Sequence, residues 1–575
     1  MSEHTFWGLV TWGVIGWLVW KYFIKPRQAR LKKHAVAIEL HEVTDQVERE
    51  NEARLAEARR RGPIIDLAVG TGKLLARKHV SGVRNGMHVY QDAELAYSGT
   101  AVVGESGSGK TRCILQPWMF FWLKFPGAGL FAFAEKANFA GIIARIAMSV
   151  RRTSAQIHRI GPNHEPWAIA RGLSPDSIAN VVEIVLERGG GRSDTFFVKS
   201  AVNIVRRIAN ILFAISQLGP LVIESKTESG EIIERFELDY DLPSISKLAR
   251  MDSDALEKFV IPEIRAAAAV LEAQGNADAK ARIDANLPEL MLFAGMRAEK
   301  QKLGISGTVD AVFGVWSTEE KFRRAFSGRS DFDLSVLERG HCVIFDLPKD
   351  EYPFAAELAS LLALEQLKNW MRDRIRRSGD GEELNPVALV IDEFTNVASK
   401  QSAALFRWCR ESATAPLIAF QNVEGLRAVM GRSEADGLLH NCATRILFGG
   451  SSDPSSIALV ATGKSEVERE SSSTQFGKSS GESSSHHIAG GSSGSHAGSS
   501  WSESTSTSLQ ERSVVDEQLL DSLVNHVKRG VPAENQIAEI VLRSRAGGRK
   551  ITEVCIVKAW DPPSSAQLER RTAAV

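Results

Sequence analysis

Two short stretches of this chain carry residue types that can handle a phosphate chain. The first is Gly104-Glu105-Ser106-Gly107-Ser108-Gly109-Lys110-Thr111: a glycine, four residues, then Gly-Lys-Thr. Its glycines let the backbone curl round an anion without Cβ clashes, so that successive N–H groups point into one concavity. Lys110 can reach the β- and γ-phosphates of a nucleotide, and the Thr111 hydroxyl can ligate Mg²⁺. The second stretch, Val387-Ala388-Leu389-Val390-Ile391-Asp392-Glu393, is an apolar run that ends in two acids. Asp392 can orient Mg²⁺ through water, and Glu393 can polarise the attacking water as a general base. A strand that merely ends in solvated acids looks the same, but its company here favours a site for ATP and Mg²⁺. Gly70-Thr71-Gly72-Lys73 imitates the first stretch. There Leu74 cannot ligate magnesium and Leu67 replaces the first glycine, so it reads as an ordinary loop.

The flanks decide whether such residues can be positioned. Thr100-Ala101-Val102-Val103 is a short apolar run of the kind a buried parallel strand shows, and residues 113–124 read as a helix with an apolar face. The loop thus lies at a helix N-terminus, where N–H groups are unpaired and the helix dipole favours an anion. Pro126-Gly127-Ala128-Gly129 reads as a turn and Leu130-Phe131-Ala132-Phe133 as the next strand. Strand, helix, strand implies a parallel sheet with helices on its faces. Strand character returns at Cys342-Val343-Ile344-Phe345, with a helix at 354–377. Beyond the acids, Pro416-Leu417-Ile418-Ala419-Phe420 ends at Gln421-Asn422, and Thr444-Arg445-Ile446-Leu447-Phe448 ends at Gly449-Gly450. A polar residue ending the strand beside the acids can sense a γ-phosphate, which makes Gln421 a candidate; a capping or turn amide is the plainer alternative.

The chain has 575 residues, too many for one core, so several domains are expected. Lys+Arg and Asp+Glu number 70 each, so bulk charge does not announce a nucleic-acid partner and any such contact must be local. Arg323-Arg324 and Arg374 with Arg376-Arg377 are clusters that could touch phosphates, though such clusters are more often solvated. The five cysteines are scattered without paired spacing, which argues against a disulfide framework or a zinc site and fits a reducing compartment.

Residues 6–24 are almost entirely apolar, with Trp7, Trp20 and Tyr22 near the ends. As a helix they span roughly 28 Å, about one hydrocarbon core. Lys25, Arg27, Arg30, Lys32 and Lys33 follow, and no Lys or Arg precedes, which puts the N-terminus outside and the remainder in the cytoplasm. A Glu-, Arg- and Ala-rich solvated helix follows, ended by Gly62-Pro63. Helical patterns dominate from about 190 to 325, at 197–218, 256–274 and 284–303. The Ser-rich stretch 470–509 reads as a flexible loop, 514–527 as a helix, and 537–542 and 554–560 as strands.

Together these residues resemble the type IV coupling proteins of conjugation and type IV secretion, the TraG/TraD-like group of membrane-anchored RecA-like ATPases. The resemblance covers roughly residues 85–560. It rests on the first stretch, the Val387–Ile391 strand with its acids, the strand ending at Gln421-Asn422, and the Arg445–Gly450 run with Ala458 to Gly463 and Val467-Glu468-Arg469 after it. It implies an α/β fold: a RecA-like P-loop domain with a parallel sheet, an inserted all-α domain and one N-terminal transmembrane helix. The expected organisation is an anchor at 1–25, a juxtamembrane helical linker at 26–62, nucleotide-binding parts at 63–190 and 326–560, the all-α insertion at 191–325, and a polar tail at 561–575. Lys110, Asp392, Glu393, Gln421 and Arg410 match the group's catalytic positions, the loop 104–111 its phosphate cradle, and Thr111 with Asp392 its Mg²⁺ site. Arg410 falls where the group places an arginine acting across the subunit boundary; Arg407, one helical turn away, could serve instead, and Arg432 is a second candidate.

The resemblance further implies a homo-hexamer in a bacterial inner membrane, mostly cytoplasmic. It would drive single-stranded DNA with its relaxase toward a type IV secretion channel and contact that channel's inner-membrane components. Export of effector proteins and a non-hydrolysing assembly platform are the alternatives. The chain departs from the group in having one span rather than two, in its long Ser-rich insertion, and in reading Ala134-Glu135-Lys136 where Asp-x-Lys is usual, so that no role transfers there.

Overall fold

The computed structural model describes residues 55–568 apart from 77–82, 137, 190–194, 227–231, 297–298, 328–329, 451–452, 461–463, 480–497, 514, 516, 528–531, 534–535, 547–548 and 565–566. The span at 6–24 lies outside the described residues, among which no helix is long and apolar enough to cross a membrane.

Fifteen strands are described: β1 (Ile64–Gly70), β2 (His88–Asp92), β3 (Thr100–Val103), β4 (Gly129–Ala134), β5 (Ile157–Ile160), β6 (Leu221–Lys226), β7 (Ile232–Leu238), β8 (Cys342–Asp346), β9 (Val387–Ile391), β10 (Thr414–Phe420), β11 (Thr444–Phe448), β12 (Lys464–Ser479), β13 (Gly498–Ser513), β14 (Ile537–Ala546) and β15 (Arg549–Lys558). Eleven of them pair in one sheet, in the order β2-β1-β15-β14-β11-β3-β10-β9-β4-β8-β5. From β11 to β5 every pairing is parallel. From β11 outward to β2 every pairing is antiparallel. The expected parallel sheet is therefore mixed. The antiparallel edge brings the two ends of the chain together, β1 pairing with β15, and antiparallel neighbours need no helical crossover.

The parallel strands read as unbroken apolar runs because both their faces are covered. Alternate residues divide between two cores. Val103, Phe131, Phe133, Phe345, Leu389, Ile391, Ile418 and Phe420 face one. Val102, Leu130, Ala132, Ile344, Val390, Leu417 and Ala419 face the other, under the helix Gln116–Leu123 and the helix Phe139–Ser149. Trp118 and Trp122 stack at 4.9 Å on the first of these helices, with their indole N–H groups donating to Gln91 Oε1 and Gly129 O. The helix Pro353–Gly379 covers the opposite face.

The insertion is not all-helical. Helices Thr195–Ile215, Leu242–Arg250, Ile261–Ala273, Ala277–Ala294 and Glu299–Thr318 dominate it, but β6 and β7 form an antiparallel hairpin within it. Its alternating Leu221, Ile223, Phe236 and Leu238 were too brief a signal to stand out among helices. The helix expected at 284–303 is two helices, the first capped at Gly295. The insertion's core is continuous with that of the sheet: its Trp316 and Phe322 belong to the same apolar cluster as Phe131, Phe133 and Phe345, and Phe326, just after it, stands 5.9 Å from Phe345 between ring centroids.

Two expectations near the C-terminus are corrected. The Ser-rich stretch is paired where it is described: β12 and β13 run antiparallel from Lys464↔Ser513 to Ser479↔Gly498. Such a ribbon satisfies the backbone groups that face its partner strand by its own ladder. The helix expected at 514–527 is only Glu517–Asp521, after which the chain leads toward β14. The strands expected at 537–542 and 554–560 are present as the longer β14 and β15. All five cysteines are buried as free thiols.

Candidate nucleotide site

β3 delivers the glycine loop and the helix that starts at Thr111 receives it. The Gly104 N–H donates to Phe420 O at 3.3 Å, tying the loop to the end of β10, and the Cys113 N–H donates back to Gly109 O at 2.8 Å. Gly107 and Gly109 have φ of +81° and +96°, a region that costs any residue with a Cβ. A Cβ at Gly107 would meet nothing within 4 Å, so the loop's outer side is open. Glu105, Ser106 and Gly107 are exposed, whereas Ser108 and Lys110 are buried. Lys110 Nζ donates to the carbonyls of Gly104 and Glu105. Burial lowers its pKa, against the pull of Glu393 and Asp392.

The acids stand at the end of β9, two strands across from β3. Asp392 is 2% exposed. Its Oδ2 accepts from Thr111 Oγ1 at 3.2 Å and from Lys136 Nζ at 3.0 Å, while Oδ1 is buried without a partner. Glu393 has φ +58° and accepts from the same ammonium at 3.1 Å. The structure thus brings together Lys110, Thr111, Asp392 and Glu393. Gln421 follows Phe420 directly, so it stands exposed where β10 meets the loop; Asn422 is engaged otherwise, capping the helix Val423–Met430.

Arg410 is not part of this cluster. It stands exposed in the turn before β10, at the opposite end of the strands from the loop. Arg407 and Arg432 are exposed as well. The basic cluster at 374–377 is structural: Arg374 is fully buried, donating to Ser412 O at 2.8 Å and Asn385 O at 2.6 Å, and Arg377 joins Glu338 and Glu382. Arg324 is paired with Glu320. The look-alike turn at Gly70 is also structural: Lys73 Nζ donates to both Glu539 oxygens at 2.7 and 2.8 Å, and Thr71 bonds Val554 O.

Sequence reasoning assigned no role to Lys136. Its signal was position: it follows β4, the neighbour of the acid-bearing β9, by two residues. Burial works against the Lys136 ammonium, but Asp392 and Glu393 beside it raise its pKa overall. Next to it, burial pushes the Glu135 carboxyl up to about 7, although Asn396 donates to it. Also unforeseen is the segment after the helix Glu517–Asp521. Asn525 Nδ2 donates to Ser108 O at 3.1 Å, and Val527 stands 3.2 Å from where a Gly109 Cβ would be.

Residues 386–524 match the family model described as the TraM recognition site of TraD and TraG. Over that stretch, from β9 to past the helix Glu517–Asp521, the chain is similar to the coupling-protein group named by that model. Among curated proteins no match was found. Solved structures with a similar chain path include a plasmid coupling protein, TrwB, in complex with ADP and Mg²⁺, at 14% identity over 87% of this chain and 96% of that chain with a TM-score of 0.49. The bacterial conjugative coupling protein TrwBdeltaN70, in complex with sulphate, matches at 14% identity over 88% and 96% with a TM-score of 0.48. VirB4 of Thermoanaerobacter pseudethanolicus matches at 13% identity over 67% and 84% with a TM-score of 0.34.

Proposed function

We propose that this chain works as a coupling protein of that group: a membrane-anchored, hexameric ATPase that moves DNA bearing a relaxase toward a type IV secretion channel. The observation that carries the ATPase reading is the convergence of Lys110, Thr111 and Asp392 at one end of the parallel strands, with Thr111 Oγ1 3.2 Å from Asp392 Oδ2. Parallel α/β sheets hold ligands at the C-terminal ends of their strands, which is where these residues meet.

The residues present fit ATP with Mg²⁺. Asp392 Oδ1 and Ser108 Oγ are buried without partners, and Gly107 leaves open space beside the loop amides. Residues 104–111 would hold the phosphates, with Thr111 and Asp392 holding the metal. Bound there, Mg²⁺ would neutralise phosphate charge. Glu393 accepts and returns the proton of a water, Gln421 orients at the γ-phosphate end, and Arg410 serves a neighbouring subunit. The match over residues 386–524 supports the coupling role and a relaxosome partner. The apolar run at 6–24 supports a single-pass anchor in a bacterial inner membrane, with the bulk of the chain cytoplasmic.

The test is ATP turnover of the purified full-length chain with and without single-stranded DNA. Low basal turnover, stimulation by DNA that falls steeply with salt, and loss on Lys110→Ala are expected. Turnover indifferent to DNA would move the reading to protein export. Absence of turnover with intact nucleotide binding would move it to an assembly platform.

A further inference from the structure

Asp392 and Glu393 carry two carboxylates in a mostly buried place, with side chains 3% and 17% exposed. Lys110 does not compensate them directly, because its ammonium is turned into the carbonyls of Gly104 and Glu105. The cation that does is Lys136, whose Nζ bridges Asp392 Oδ2 at 3.0 Å and Glu393 Oε1 at 3.1 Å. It shares Oδ2 with the hydroxyl of Thr111, the other residue suited to a metal. A magnesium ion held at Asp392, directly or through water, repels an ammonium on the same carboxylate. Mobility differs between the partners: the Lys136 side chain is 54% exposed and can withdraw into solvent, whereas that of Asp392, just past the end of β9, is buried.

We propose that Lys136 is a positioning residue that competes with Mg²⁺ for Asp392. Without the metal its ammonium neutralises Asp392 and Glu393 and holds both side chains in place. When Mg²⁺ arrives with nucleotide, the ammonium leaves Asp392. This rests on the reading of the site as one for Mg²⁺ and ATP. It assigns Lys136 an effect opposite to that of a phosphate-binding lysine: removing it makes metal entry easier.

The experiment titrates Mg²⁺ against the purified full-length chain at a fixed, subsaturating concentration of a fluorescent non-hydrolysable ATP analogue, with binding followed by anisotropy. K136M is expected to lower the Mg²⁺ midpoint roughly two- to fivefold, the range that a half-exposed ion pair supports, while K136R stays near wild type. K136Q is expected to move the midpoint in the same direction, and it serves where K136M fails to fold. Thermal melting in EDTA without nucleotide should show K136M and K136Q below wild type and K136R close to it. A midpoint that is unchanged or raised in both neutral variants, with wild-type binding intact, overturns the role. A wild-type chain that shows no Mg²⁺-dependent binding of the analogue overturns the site reading itself, and the inference with it.

Discussion

At the scale of single residues the site separates holding a nucleotide from cutting it. On the proposed reading Lys110 and the loop amides hold the phosphates, while Glu393 is the base. Glu393→Gln keeps the shape of the side chain but cannot take a proton, so turnover should fall by about 10²- to 10⁴-fold. Binding of the ATP analogue should persist, which anisotropy and steady-state turnover on the same preparation would check. The backbone makes a second demand. At φ +96°, with Val527 3.2 Å from a would-be Cβ, Gly109→Ala is expected to cost about 1–3 kcal/mol, read as a lower melting temperature. Most of these residues were legible because their chemistry is tied to spacing along one short run. Lys136 was not. Its partners lie 256 and 257 positions away, and only the pairing of β4 with β9 brings them to it.

At the scale of elements, legibility followed burial. Strands β3, β4, β8, β9, β10 and β11 were readable because helices cover the sheet's faces and most of their positions are apolar. The antiparallel edge was harder, since β1 and β2 join the sheet only through the pairing of β1 with β15, across nearly the whole described chain. The hairpin of β6 and β7 lay hidden among helices for the same reason: its stability comes from packing against neighbours rather than from a long local pattern. At the far edge, β5 is the outermost strand and is held partly by imidazoles. His158 on β5 shares a hydrogen bond of 2.9 Å with His341, which precedes β8, and its other ring nitrogen meets Glu165 at 2.8 Å. Burial lowers the pKa of His341, with His158, Arg339 and Arg152 adding to the effect. The folded state therefore favours the neutral ring and the unfolded chain binds the extra proton. The stability this confers is full above the unfolded value, near 6.5, and is lost as pH falls below it. Melting temperatures compared at pH 7.5 and pH 5.5 should drop more for the wild type than for His341→Asn.

At the scale of the whole molecule, the position of Arg410 bears on assembly. β10 runs from Thr414 to Phe420 parallel to β3, so Arg410 and the glycine loop stand at opposite ends of the same strand. Seven residues of strand cover about 20 Å. A side chain cannot cross that distance, so Arg410 cannot serve the site of its own chain without a rearrangement of the sheet. A neighbouring copy in a ring has no such constraint, because a head-to-tail interface sets one edge of a subunit against a different edge of the next. This predicts complementation. Lys110→Ala retains the arginine but cannot use nucleotide, and Arg410→Ala retains the nucleotide residues but offers its neighbour no arginine. Each alone should be inactive. Subunits of the two kinds, mixed, dissociated and reassembled, should regain part of the wild-type turnover, since some interfaces then pair an intact loop with an intact arginine. Arg407→Ala mixed in the same way decides between the two arginines. If no mixture exceeds the average of its separate components, neither arginine acts across a subunit boundary.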